Sequence, residues 1–183
     1  RTALNYREAY TFIQDLYGLG LFEKSMQLSE EVLKRSDDQS GEILTEYAFS
    51  ALMLGKLSDL TEFFSTLKND ADGEIEPQLN LVQSYVQRVS SAGLQSAYAE
   101  YLRLSSAILF GKQVASLSRI ACEDGLPEFV IFSFVDAGLK DRLSLETQID
   151  DVTASSPLAA QDAEVPFLTI SVLPLTSYPL VHA

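Results

Sequence analysis

Leu16-Tyr17-Gly18-Leu19-Gly20-Leu21-Phe22-Glu23-Lys24-Ser25 is the stretch whose reading decides the fold. Before it, Tyr6, Ala9, Tyr10, Ile13, Leu16 and Tyr17 recur at three- and four-residue spacing, the pattern of one buried helical face. After it, Phe22, Met26, Ser29, Val32 and Leu33 form a second such face. The outer side carries Glu30 with Lys34 and Glu31 with Arg35, both at i, i+4 in the favourable order. Two amphipathic helices broken by glycine predict an antiparallel helix pair. Working outward, Gly20, Gly55, Gly93 and Gly125 each divide two apolar-periodic segments, at spacings of 35, 38 and 32 residues.

The segments run in order. Ile43, Leu44, Tyr47, Ala48, Ala51 and Leu52 make a third helix, and Leu57, Leu60, Phe63, Phe64 and Leu67 a fourth. After a loop from Asn69 to Pro77 come Leu79, Val82, Tyr85, Val86 and Val89, then Leu94, Ala97, Tyr98, Tyr101 and Leu102. A seventh helix is expected from about Ile108 to Ala121, on Val114, Leu117, Ile120 and Ala121. Residues 129–135, Phe-Val-Ile-Phe-Ser-Phe-Val, suit either a buried helix or a strand; the regular order of turns favours the helix. The expected fold is therefore all-α: antiparallel helix pairs stacked as a short α-solenoid, each pair burying its face on the next. A plain irregular helical bundle is the alternative.

The repeated unit resembles the tetratricopeptide-repeat-like superfamily over about residues 3–143. The first unit carries the turn glycine, the aromatic Phe22 and the small Ser25 three positions on. The second keeps small residues in its first helix and Gly55, but has Leu60 where that family has a small side chain; in the third, Ala97 is displaced by one position. No repeat ends in the family's proline. The Ala92-Gly93-Leu94 turn is also similar to pentatricopeptide repeats, a resemblance that implies RNA binding.

The last forty residues have another character. No Lys or Arg follows Arg142, and four of the six prolines (Pro157, Pro166, Pro174, Pro179) lie here. Residues 1–143 are expected as the helical-repeat domain, 144–164 as a linker and 165–183 as an extended tail. The tail has no charged side chain, yet holds Phe167, Ile170, Val172 and Leu175. Its prolines forbid a helix and exclude a membrane-spanning one. Such a tail is expected to fold back along the chain's own groove or to dock on a neighbouring subunit, with simple disorder as the third alternative.

Charge and composition exclude more. Thirteen Lys and Arg stand against 26 Asp and Glu, a net charge of −13, which repels phosphate backbones and anionic membranes. Cys122 is the lone cysteine and His182 the lone histidine, so no disulfide and no cysteine-based metal site can form within one chain. Cys122 is expected buried at a helix end. An intracellular setting, cytoplasm or organelle, fits this usage.

The motifs that carry chemistry are incomplete. Aligning Gly73 of the acidic loop Asp70–Glu76 as the sixth position of a calcium loop puts Lys68 first and Leu79 twelfth, both wrong as ligands. Gly18-Leu19-Gly20 lacks the third glycine of a dinucleotide fingerprint, where Glu23 stands, and Gly111-Lys112 lacks the rest of a phosphate loop. No metal and no cofactor are expected. The sequence thus predicts a protein that is not an enzyme but an interaction module: an adaptor, chaperone-like holder or structural subunit of a larger protein assembly. Its partners would be other protein subunits or peptides, met through Tyr10, Tyr17, Tyr47 and Tyr85 and the tail residues Phe167, Ile170, Val172 and Leu175. RNA binding is the alternative, and a carboxylate enzyme using Glu30 or Glu46 the more remote one.

Overall fold

Asn5 opens the first helix with a reciprocal cap. Its side chain accepts from the Glu8 amide at 3.0 Å, and the Glu8 carboxylate accepts from the Asn5 amide at 3.2 Å. In this computed structural model, which describes residues 5–35, 41–67, 77–123, 126–158 and 168–179, six helices follow one another. They are α1 (Tyr6–Gly18), α2 (Phe22–Arg35), α3 (Gly41–Met53), α4 (Leu57–Thr66), α5 (Pro77–Ser91) and α6 (Gln95–Leu109). The protein is mostly helical, as expected.

Each described hairpin turns in the same way. After α3, the Gly55 amide donates to Leu52 O and the Lys56 amide to Ala51 O, both at 2.9 Å, while Gly55 takes φ +69°. This paired arrangement satisfies carbonyls that the helix end would otherwise leave open, and it requires a left-handed residue. The α1–α2 and α5–α6 turns repeat it with Gly20 and Gly93. Gly55 has a second reason to be glycine. A Cβ there would lie 3.0 Å from the Ala99 backbone, so this turn rests directly on α6. Small side chains bring α2 and α3 together too: Ser50 Oγ donates to Ser25 Oγ at 3.1 Å, and Ser25 Oγ donates to the Ile13 carbonyl at 3.1 Å.

Beyond α6 the expected helices give way to a sheet. Residues 113–121, placed in a seventh helix, belong to β1 (Gln113–Glu123), and Ile108 lies in the last turn of α6. Residues 129–135, for which a helix was favoured, lie in β2 (Leu126–Val135). The two strands pair antiparallel, with Ile120 opposite Phe129 and Ser118 opposite Ile131. The physical reason is partnership. Val114, Leu117 and Ile120 fit a helical stripe in isolation, but β2 offers an aromatic and β-branched face to pair with, and pairing overrides local periodicity.

Helix α7 (Leu139–Ser155) then crosses over to β3 (Leu168–Pro174), which pairs parallel to β2, giving the order β1-β2-β3. Residues 144–155, placed in a linker, form most of α7. The described part of the tail is extended over Leu168–Pro174, where it adds a strand to the chain's own sheet, and then makes a short 3-10 turn at Leu175–Ser177.

The sheet lies over the face made by α1, α3 and α5. Phe129 is fully buried there, its ring 6.1 Å from Phe49 of α3 and 5.8 Å from Tyr85 of α5. A second, smaller cluster, Leu109, Val135, Leu145, Ile149 and Val172, seals α6 and α7 against β2 and β3.

The Gly55 geometry gives a paired expectation. Gly55→Ala meets both the left-handed backbone and the Ala99 contact, and should lose about 2–4 kcal/mol in urea unfolding. Gly93→Ala, at φ +71° with open space around it, should lose only about 1–2 kcal/mol. Equal losses would show that the turn does not rest on α6.

Candidate functional site

The eight residues expected to meet a partner fall into different places. Tyr17, Tyr85 and Val172 are buried in the chain's own core. The sheet covers the face on which Tyr17 and Tyr85 stand, so that face is filled by the same chain. Ile170 is half-buried and packs on both clusters, and Leu175 is half-buried in the short 3-10 turn after β3. Phe167 lies outside the described residues, as do the acidic loop 70–76 and His182. Tyr10 is half-buried and takes a hydrogen bond from Gln14 Nε2 at 2.8 Å. Tyr47 alone lines an open groove.

Tyr17 and Tyr10 sit near one polar network between α1, α3 and β1. Gln14 Nε2 also donates to Glu46 Oε1 at 3.2 Å. Burial pushes the Glu46 carboxyl above the usual carboxylate range, and the Gln14 bond only partly offsets it. The Tyr17 and Ser118 hydroxyls share a hydrogen bond. Burial raises the Tyr17 phenol strongly, the Ser118 bond pulls it back, and the nearby Glu46 charge pushes it up further. Tyr85 is raised chiefly by burial, and its hydroxyl has no hydrogen-bond partner among the described residues. Glu30, the other carboxylate considered for chemistry, accepts from Lys34 Nζ at 2.6 Å.

The open groove lies between α2 and α4, on the side of the helices away from the sheet, with a volume of about 550 Å³. Met26, Leu33, Tyr47 and Phe63 make its apolar part. The Tyr47 and Phe63 rings meet at 4.9 Å between centroids. Glu30 and Lys34 border it from α2, Asp59 and Glu62 from α4, and Lys56 from the cap position just before α4. Sequence reasoning places Met26, Leu33 and Phe63 in the core, and the structure agrees: Met26 is buried there, and Leu33 and Phe63 pack half-buried at its edge, beside the groove. The spacing of Asp59 and Glu62 beside Phe63 is the available sign that one flank of α4 is exposed.

Cys122, expected buried at a helix end, is exposed on β1. Among the described residues, no three His, Cys, Asp or Glu side chains are grouped so that they could hold a metal ion. Nor, among them, is any helix long and apolar enough to cross a membrane.

No family model, curated protein or solved structure significantly matches the chain. The surfaces themselves therefore carry the functional argument.

Two stability expectations come from the network. Tyr17→Phe leaves Ser118 without its partner and should cost about 1–2 kcal/mol, whereas Tyr85→Phe removes an unpaired buried hydroxyl and should be neutral or stabilising. Denaturant unfolding of both variants checks this; an equal loss would mean that the two hydroxyls are alike. The second concerns pH. A carboxyl raised in the folded state binds its proton more tightly there than in the unfolded chain, so its contribution falls as pH rises from the unfolded value through the folded one. Glu46→Gln should therefore be more stable than the wild type at pH 7, with the gap closing below about pH 4.5. A pH-independent gap would remove burial of the charge as the cause.

Proposed function

We propose that this chain is a non-catalytic protein-interaction module that serves as a structural subunit of a larger protein assembly. Three antiparallel helix pairs, α1–α2, α3–α4 and α5–α6, act as a short tetratricopeptide-like array. The observation that carries the reading is the division of labour between its two sides. The side made by α1, α3 and α5 is spent on the chain's own sheet, while the α2–α4 side leaves an aromatic and aliphatic groove at the surface. An unfilled apolar groove bordered by charge is what a docking face needs: a dry centre and a polar rim.

Other features agree. Phe110 is 87% exposed, and Phe12, Leu19 and Leu139 are each more than half exposed, so a partner would find apolar side chains at the surface. The single exposed thiol of Cys122 suits a reducing, intracellular setting. The net charge of −13 suits a cationic protein partner and not a phosphate backbone.

The test is the native mass of the tagged chain, expressed at its natural level and passed through size exclusion with light scattering. The expected result is elution with a stoichiometric set of other proteins, far above the 20.2 kDa of the free chain. Elution at 20.2 kDa would overturn the reading, as would nuclease-sensitive co-elution with RNA alone.

A further inference from the structure

The α2–α4 groove has a chemistry of its own, and the argument for it rests on the interaction-module reading above. We propose that this groove takes an arginine side chain, presented by a partner segment that carries an apolar residue beside it.

The floor comes first. The Tyr47 and Phe63 rings are half-buried, in tilted contact at 4.9 Å, and border the open volume. An aromatic face exposed to a groove attracts a cation through its quadrupole, and a planar guanidinium stacks on it as an ammonium does not. Half-buried Leu33, with buried Met26 behind it, continues the floor and offers aliphatic surface to the stem of a long side chain.

The rim supplies the charge. Glu30 is tied to Lys34 at 2.6 Å, and Lys56, just before α4, adds a second positive charge to the border. Asp59 and Glu62 of α4 are exposed and take part in none of the ion pairs found among the described residues. Three residues apart on a helix, they stand on one face and can meet the two edges of a guanidinium fork. The sign of the local field agrees with this placement. Besides burial, the carboxylates of Glu30 and Asp59 push the Tyr47 phenol up, and Lys34 opposes them less strongly. Three carboxylates, Glu30, Asp59 and Glu62, against two lysines, Lys34 and Lys56, leave the border of the groove with a net negative charge.

Size decides the rest. At about 550 Å³ the groove exceeds one arginine side chain, which leaves room for a neighbouring apolar residue against Met26 and Leu33. An acidic segment would meet repulsion from the rim and from the whole chain. A purely apolar one would leave Asp59 and Glu62 desolvated without a partner.

The test uses the full chain and three probes: a pentapeptide amide alternating leucine and arginine, the same peptide with citrulline for arginine, and the same with glutamate. Amide shifts in nitrogen-15 spectra are followed at low and high salt. The expected result is saturable shifts on α2 and α4 with the arginine peptide, weakened about tenfold by the double substitution Asp59→Asn, Glu62→Gln and by added salt. The citrulline peptide should bind at least about tenfold more weakly, and the glutamate peptide not at all. Equal binding of arginine and citrulline peptides, shifts elsewhere on the surface, or no effect of the double substitution would each overturn the proposal. Both substituted side chains are exposed, and an unchanged thermal midpoint confirms that the fold is intact.

A second arm separates this proposal from the one beneath it. If wild type enters an assembly in cells and Asp59→Lys, Glu62→Lys does not, both stand. If the double variant still enters, the groove is not the docking face while membership of an assembly holds. If the wild type is itself free, the broader reading fails, and the peptide titration alone decides whether the groove holds arginine.

Discussion

Phe129 is the residue through which the two halves of this protein hold each other. Its ring is completely buried between Phe49 and Tyr85, and Tyr85 in turn leans on Tyr98 of α6 at 6.0 Å. One aromatic stack thus runs from α3 through β2 to α5 and α6. Burying a side chain of this size is worth about 1.5–3 kcal/mol before packing is counted, and Phe→Ala in such a site typically costs about 3–5 kcal/mol. The sheet needs this face as much as the helices do. β2 is buried on both sides along most of its length, since Phe129, Val130, Ile131, Phe134 and Val135 are all interior, and a three-stranded sheet alone could not achieve that.

That stack also explains what was and was not legible in the sequence. Helices α1 to α6 announce themselves locally. Each buries residues at helical spacing, and three turns carry a glycine that the backbone conformation demands. The sheet does not, because its stability comes from partners far along the chain. Ile120 pairs with Phe129 within a hairpin, but Ile131 pairs with Ile170, and neither pairing leaves a periodic trace in the strand itself. One short-range sign was present. The register runs out to Glu123 opposite Leu126, which leaves Asp124-Gly125 between the strands, and that dipeptide is a strong hairpin signal. Beside three earlier turn glycines it reads as a fourth helix turn.

The candidate site was legible in part for the same reason. Tyr47 stands out as an aromatic on a first helix, as do Tyr17 and Tyr85, and nothing in their spacing distinguishes them. What separates them is the sheet. It covers Tyr17 through Ser118 and Tyr85 through Phe129, and it does not reach the α2–α4 side, where Tyr47 meets Phe63. Surface and core among these tyrosines are assigned by tertiary structure alone. The buried serines show the same division in polar form. Ser25 and Ser50 find each other between α2 and α3, whereas Ser116 and Ser133, opposite one another in β1 and β2, stand where the sheet passes from one apolar cluster to the next.

The order of the elements along the chain has a consequence for synthesis. The six helices are complete by residue 109, but the cover for Phe49 and Tyr85 arrives with residue 129, and the parallel third strand only with residues 168–174. At about 5–20 residues per second, roughly 3–13 s separate the end of α6 from the end of β3. Closing β3 onto β2 also requires α7 to be laid across first, a non-local step that is slow compared with forming helical hairpins. Until residue 129 is available the nascent helical array presents its aromatic side to the ribosome's surroundings, and until β3 arrives one edge of β2 stays unpaired. This is the period in which a general chaperone would hold it and in which two growing chains on one message could exchange sheets.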